Sequence, residues 1–127
     1  MSKSGRYSAD RKKIEALSAS KTVEVHDCGT IFICTGAITL TLPTAVAAGP
    51  GWWCRIVKAS AASAGTVSIT ATSTLQGISA DGNSNDPLVG DCAILAANAE
   101  GAFIEVYSDG TQYYAFGIGD HNTGFTA

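Results

Sequence analysis

Charge is scarce in this chain: only 15% of its 127 residues are Asp, Glu, Lys or Arg, against about 25% in an ordinary domain. That shortage, and with it the shortage of Lys, Glu and Leu, argues against a helical bundle. No apolar run approaches the ~18 residues that cross a bilayer as a helix, so no membrane partner is expected. The amino-terminal stretch MSKSGRYSADRKKIEALSA is basic but has no apolar core behind it, so it does not read as a secretory signal. The expectation is a protein made in the cytosol. Disorder is excluded by the opposite argument, since 46% of the residues are hydrophobic.

Catalytic and metal-binding chemistry is also thin. There are two histidines, His26 and His121, far apart in sequence. His26, Asp27 and Cys28 stand side by side, but neighbours on a strand point to opposite faces, which argues against a catalytic cluster. Cys28, Cys34, Cys54 and Cys92 include no C-x-x-C pair, so the close ligand pairs of a structural zinc site are missing. Reduced, buried thiols are the expectation in a cytosolic setting, with a Cys28–Cys34 bridge left open. Asp81, Asp86 and Asp91 lack the alternate-residue spacing of a calcium loop. Neither Gly49-Pro50-Gly51 nor Gly117-Ile118-Gly119 opens a helix, as a phosphate cradle must. The chain reads as no enzyme, with no metal and no cofactor.

What the sequence has is Gly, Ala, Ser and Thr arranged as short strands. Val23 and Val25 alternate in TVEV, and IFIC is a short apolar run. Ile38, Leu40 and Leu42 fall on one face of AITLTLP, with Thr39 and Thr41 on the other. AVAAGPG reads as a loop, WWCRIVK as a strand bulky on both faces, and TVSITAT as another alternating strand. The polar segment 77–91 reads as a surface loop, and CAILAA as a buried strand. Asp109-Gly110 lies between two strand patterns and predicts a hairpin pairing Ser108 with Thr111 and Val106 with Tyr113. About eight strands at this spacing give an all-β fold, a single-domain β-sandwich or jelly roll over residues 22–118. No internal repeat stands out, although the strands TLTL and VSIT look alike.

Residues 1–21 form a basic arm and 119–127 a polar tail anchored by Phe125. The arm holds six basic residues against two acids, whereas residues 22–127 hold two basic residues against nine acids. Ser8, Ile14 and Leu17 make 8–20 the one helical candidate, a short helix docked on a partner or no helix at all. So acidic a body repels phosphates, so nucleic acid is not an expected partner. Both faces of the closing hairpin carry aliphatic or aromatic bulk, and one of them needs a cover from a second sheet or a neighbouring subunit. Trp52 and Trp53 should point to opposite faces, one into the core and the other to an interface or a sugar.

The stretch Gly36-Ala37-Ile38-Thr39-Leu40-Thr41-Leu42-Pro43, followed by an Ala/Gly loop and then Trp52, resembles a pattern in tailed-bacteriophage structural proteins. Asp27–Phe32 before it and Thr66–Thr70 after it extend the likeness over about residues 22–72. The resemblance implies a virion structural role, commonly as a homotrimer. Lacking a coiled-coil or collagen-like stem, the chain is more like a capsid decoration (cement) protein than a tail fibre. Its expected place is the outside of the assembled head, where it bridges subunits of the major capsid protein after synthesis in the host cytoplasm. Arg6, Arg11, Lys12, Lys13, Ile14 and Leu17 would bind the shell. Trp52, Trp53, Phe103, Tyr107, Tyr114 and Phe116 would form the subunit interface. The rival reading is a tail-fibre or receptor module that binds glycans through a tryptophan and the 77–91 segment.

Overall fold

A computed structural model describes residues 12–59, 65–80, 85–89, 91–96, 98–119 and 125–126. The chain is mostly β, in two mixed sheets of seven and five strands. Strands β1 (Lys13–Leu17), β3 (Thr30–Cys34) and β5 (Pro50–Lys58) lie side by side and parallel in the larger sheet. Strands β2 (Lys21–Thr22), β4 (Ile38–Thr41) and β6 (Val67–Thr70) do the same in the smaller one. The chain thus crosses from one sheet to the other at every step. Parallel neighbours need a crossover connection, and here a strand of the opposite sheet supplies it. The likeness of TLTL to VSIT is this winding read in sequence: Thr39 pairs with Ser68, Leu40 with Ile69 and Thr41 with Thr70.

Antiparallel strands complete both sheets. β9 (Cys92–Ile94) pairs with β6, and β12 (Phe125–Thr126) with β9. β10 (Phe103–Asp109) runs against β5 and turns into β11 (Tyr113–Ile118). Beyond β11 lie β7 (Leu75–Ala80), parallel to it, and β8 (Asn85–Val89) at the edge. A jelly roll is built of antiparallel strands, and the parallel runs depart from that expectation.

One apolar cluster draws on both sheets. Phe32, Ile56 and Ile104 come from the larger sheet, and Leu40, Ile69 and Ile94 from the smaller. Each is fully buried, and burying such a side chain stabilises the fold by about 1.5–3 kcal/mol. Trp52 and Tyr113 meet edge to face at 6.1 Å. Their polar tips are satisfied: Trp52 Nε1 donates to the Val25 carbonyl at 2.9 Å and the Tyr113 hydroxyl to that of Pro43 at 2.5 Å.

Several local expectations need correction as well. Residues 13–17 are a strand, not part of a helix, because the free edge of β3 offers them a backbone ladder. Ile14 and Leu17, three apart, therefore face opposite ways. The hairpin pairs Ser108 with Tyr113 and Val106 with Ala115, two residues from the expected register. The turn centres on Gly110-Thr111, with Gly110 at φ 92° and the Asp109 carboxylate accepting from the Thr111 and Gln112 amides. A shift of two leaves every side chain on its expected face. The segment 77–91 holds much of β7 and all of β8, not one long loop; β8 is an edge strand, where Pro87 is tolerated. Finally, AVAAGPG contains a helical turn, α1 (Ala45–Ala48), capped by Thr44, whose side chain accepts from the Ala47 amide.

Candidate functional site

The two outer faces differ in chemistry. On the smaller sheet Thr22 pairs with Thr41, Thr41 with Thr70, and Thr39 with Ser68, all pointing away from the core. A shallow depression of about 390 Å³ lies over this hydroxyl-rich surface, lined by Thr39, Ser68, Thr70 and Asp91 among others. The Asp91 carboxylate accepts from the Ala71 amide at 3.1 Å.

The larger sheet presents the opposite. Ladder pairing sets Ile14, Ile31, Arg55, Glu105 and Phe116 in one row across five strands. Trp53, Tyr107 and Tyr114 form a second row. Ala16, Ile33, Val57, Phe103 and Ile118 form a third. Much of this surface is open: Ile14 is 65% exposed, Tyr114 48%, Tyr107 45%, Ile118 43% and Phe116 39%.

Its charges are already matched. Arg55 donates to Glu105 from Nε at 2.8 Å and from Nη2 at 2.5 Å. The guanidinium also sits 4.6 Å from the Phe103 ring centre, and the Tyr107 hydroxyl donates to the same carboxylate. Burial pushes Glu105 up, but the Tyr107 hydroxyl and Arg55 outweigh it, so its pKa lies below the usual range. The Lys12 ammonium lies 4.8 Å from the Trp53 ring centre. A depressed carboxylate pKa adds stability above the unfolded value of about 4.3, and that stability is lost as pH falls through the folded value. Glu105→Gln should therefore cost about 1 kcal/mol at pH 7 and flatten the fall of the denaturant midpoint below about pH 4.

At the β1 edge the core-side positions are ionic. Asp27, buried, accepts from the Glu24 amide at 2.9 Å, with Lys21 at 3.8 Å and Lys13 at 3.9 Å. Lys21 also meets Glu15 at 3.2 Å, a contact that, with the nearby carboxylates, raises its pKa despite partial burial. These pairs close the end of the core beside β1 and β2, where only Leu17 of β1 packs against the apolar cluster.

Of the residues expected to bind a shell, Arg6 and Arg11 lie outside the described part. Lys12 covers Trp53, Lys13 lies near Asp27, and Ile14 is exposed with no polar partner to meet. Leu17 is turned inward, a correction to its expected role as an anchor. Of the expected interface residues, Trp53, Phe103, Tyr107, Tyr114 and Phe116 share one face, whereas Trp52, against expectation, is buried in the core. The alternation of WWCRIVK, with bulk on both sides, separates the two tryptophans. Ile14, expected as a shell contact, joins this face, and Ile31, Ile33, Val57 and Ile118, which the sequence reading does not single out, complete it. Their signal was the nearly unbroken apolar character of IFIC and of the hairpin strands, which leaves one half of each strand without a core to enter.

His26, Asp27 and Cys28 fall in a 3-10 turn, not a strand, with His26 and Cys28 exposed and Asp27 buried. His26 Nδ1 lies 3.2 Å from Glu24. Among the described residues no group of three His, Cys, Asp or Glu is placed to hold a metal ion. All four cysteines are free thiols. Burial pushes Cys34 and Cys92 up to about 12 and Cys54 higher still. A thiol-reactive probe should accordingly modify Cys28 alone at neutral pH, and all four cysteines after denaturation. No helix is long and apolar enough to cross a membrane, counted over the described residues. No known protein family matches the chain, and no curated protein or solved structure matches it either.

Proposed function

We propose that this protein is a structural subunit that works inside an assembly, with the outer face of its larger sheet covered by neighbours. The one observation that carries the reading is the contrast between a hydroxyl-covered outer face and an aromatic, aliphatic one. Contiguous exposed apolar patches of this kind mark interaction surfaces in soluble proteins. The two sheets, sharing a single core, form a β-sandwich in this reading. Its biological form is the one that Gly36–Trp52 resembles: a bacteriophage head decoration protein that stabilises the shell by binding only the assembled state. The basic segment supplies the contact with the capsid, chiefly through Arg6 and Arg11, since Lys12 and Lys13 already have partners in the fold.

The test is to mix the full chain with undecorated heads. Saturable co-sedimentation and a higher temperature of head disruption are expected. Absence of binding at a stoichiometric excess would overturn the decoration reading. Glycan binding that disappears in Trp53→Ala, with the fold retained, would favour the receptor-module rival. Against that rival, Trp52 is buried and Trp53 is already covered by Lys12, so neither ring offers a bare stacking platform.

A further inference from the structure

We infer that the partner covering the larger sheet's outer face is a second copy of this chain, related by a two-fold axis. The inference rests on the reading that this face is covered, and adds what covers it. Charge selects the partner. Within the face Arg55 and Glu105 neutralise each other through two hydrogen bonds, and Tyr107 occupies a further acceptor site on the carboxylate. An ion pair satisfied in this way can be buried without stranding a charge. The middle of the face therefore asks for no charged group opposite it, and among the described residues the further cation, Lys12, lies over Trp53 in an end row.

The chain's own face meets that condition. Its three rows hold one ion pair and otherwise aliphatic or aromatic side chains, so two copies meet there with little like-charge repulsion.

Geometry agrees. Five strands about 4.8 Å apart, at about 3.3 Å per residue, outline a patch of roughly 450 Å² in projection. The relief of the side chains brings its accessible area toward the ~800 Å² per partner of a stable interface. Identical twisted sheets pack face to face at about 10 Å with their strands some 30° apart. Tyrosines such as Tyr107 and Tyr114 suit such a contact, since each ring offers a large apolar body and a polar tip. A patch that pairs with itself is isologous and closes at two copies. A trimer needs two different surfaces on each protomer, and the described residues present one extended apolar face. The inference is thus a dimer, in place of the trimer that the resemblance implies.

Sedimentation equilibrium of the full chain in the micromolar range decides it. The expected mass is twice the 13.0 kDa of the protomer. A protomer mass throughout, or three times that mass, overturns the inference. Tyr114→Glu should weaken association about 30-fold or more while the thermal melt stays cooperative. Thr39→Glu, on the opposite outer face, should leave the dimer intact. If Tyr114→Glu does not fold, Ile14→Glu at the exposed edge takes its place, and undiminished dimerisation in whichever variant folds overturns the inference. Dimers that ignore heads would sink the decoration reading alone. Monomers that coat heads would sink the dimer and leave decoration standing.

Discussion

Replacing Tyr113 by alanine should cost about 3–5 kcal/mol, the range for emptying a large aromatic site in a packed core. Tyr113 is fully buried at the start of β11, where the chain leaves the hairpin turn. Its ring meets Trp52 edge to face, its hydroxyl reaches the Pro43 carbonyl, and its amide donates to Thr74 at 2.8 Å. One side chain thus links β11, the start of β5 and the segment that follows β4. Tyr113→Phe keeps the ring and removes only the hydrogen bond, so about 1–2 kcal/mol is expected. Denaturant unfolding of both variants checks the account. Equal losses would mean that the hydroxyl, not the packing, dominates.

The second large effect is expected at Gly77, which pairs with Ala115 across the parallel β7–β11 ladder. A Cβ built there would lie 1.8 Å from the Ala115 carbonyl oxygen. The Cβ position is fixed by the backbone and the oxygen is part of it, so no rotamer change relieves the clash; the strands must part. Gly77→Ala should cost about 3 kcal/mol, the upper part of the range for overpacking, because β7 brings Leu75 into the core and carries β8 behind it. Gln76→Ala, next to it and exposed, should stay within about 0.5 kcal/mol of the parent. A Gly77→Ala midpoint indistinguishable from the parent would contradict the close approach of these strands.

Gly77 also shows where the sequence ceases to speak. Glycine, serine, aspartate and proline between residues 77 and 91 carry little strand propensity, and composition reads them as loop. Their strands exist because β11 and then β7 offer open ladders, a tertiary fact that no local pattern reports. Lys13–Leu17 is the same case at the other end of the sheet. By contrast, Ile38-Thr39-Leu40-Thr41 and Val67-Ser68-Ile69-Thr70 announce a buried and a solvated face by strict alternation, and both fold that way. Their parallel stacking did not follow from alternation, which is blind to strand direction.

For the candidate site, the doubled bulk of WWCRIVK and of the closing hairpin predicted an apolar surface left outside the core. That surface is present, and five of the six residues expected on it share it. Trp52 departs because Val25 offers its indole a carbonyl inside the fold. The pairing of Arg55 with Glu105 was invisible in sequence, fifty residues apart, because it depends on β10 lying against β5.

The central claim is that the larger sheet's outer face works covered. Hydroxyl-radical footprinting of the full chain, dilute, concentrated and bound to heads, tests it most directly. Tyr107, Tyr114 and Phe116 should lose reactivity as the protein associates, while Val46, 77% exposed on α1, serves as an unchanged reference. Labelling of those three aromatic residues that stays equally heavy in every state would contradict the account.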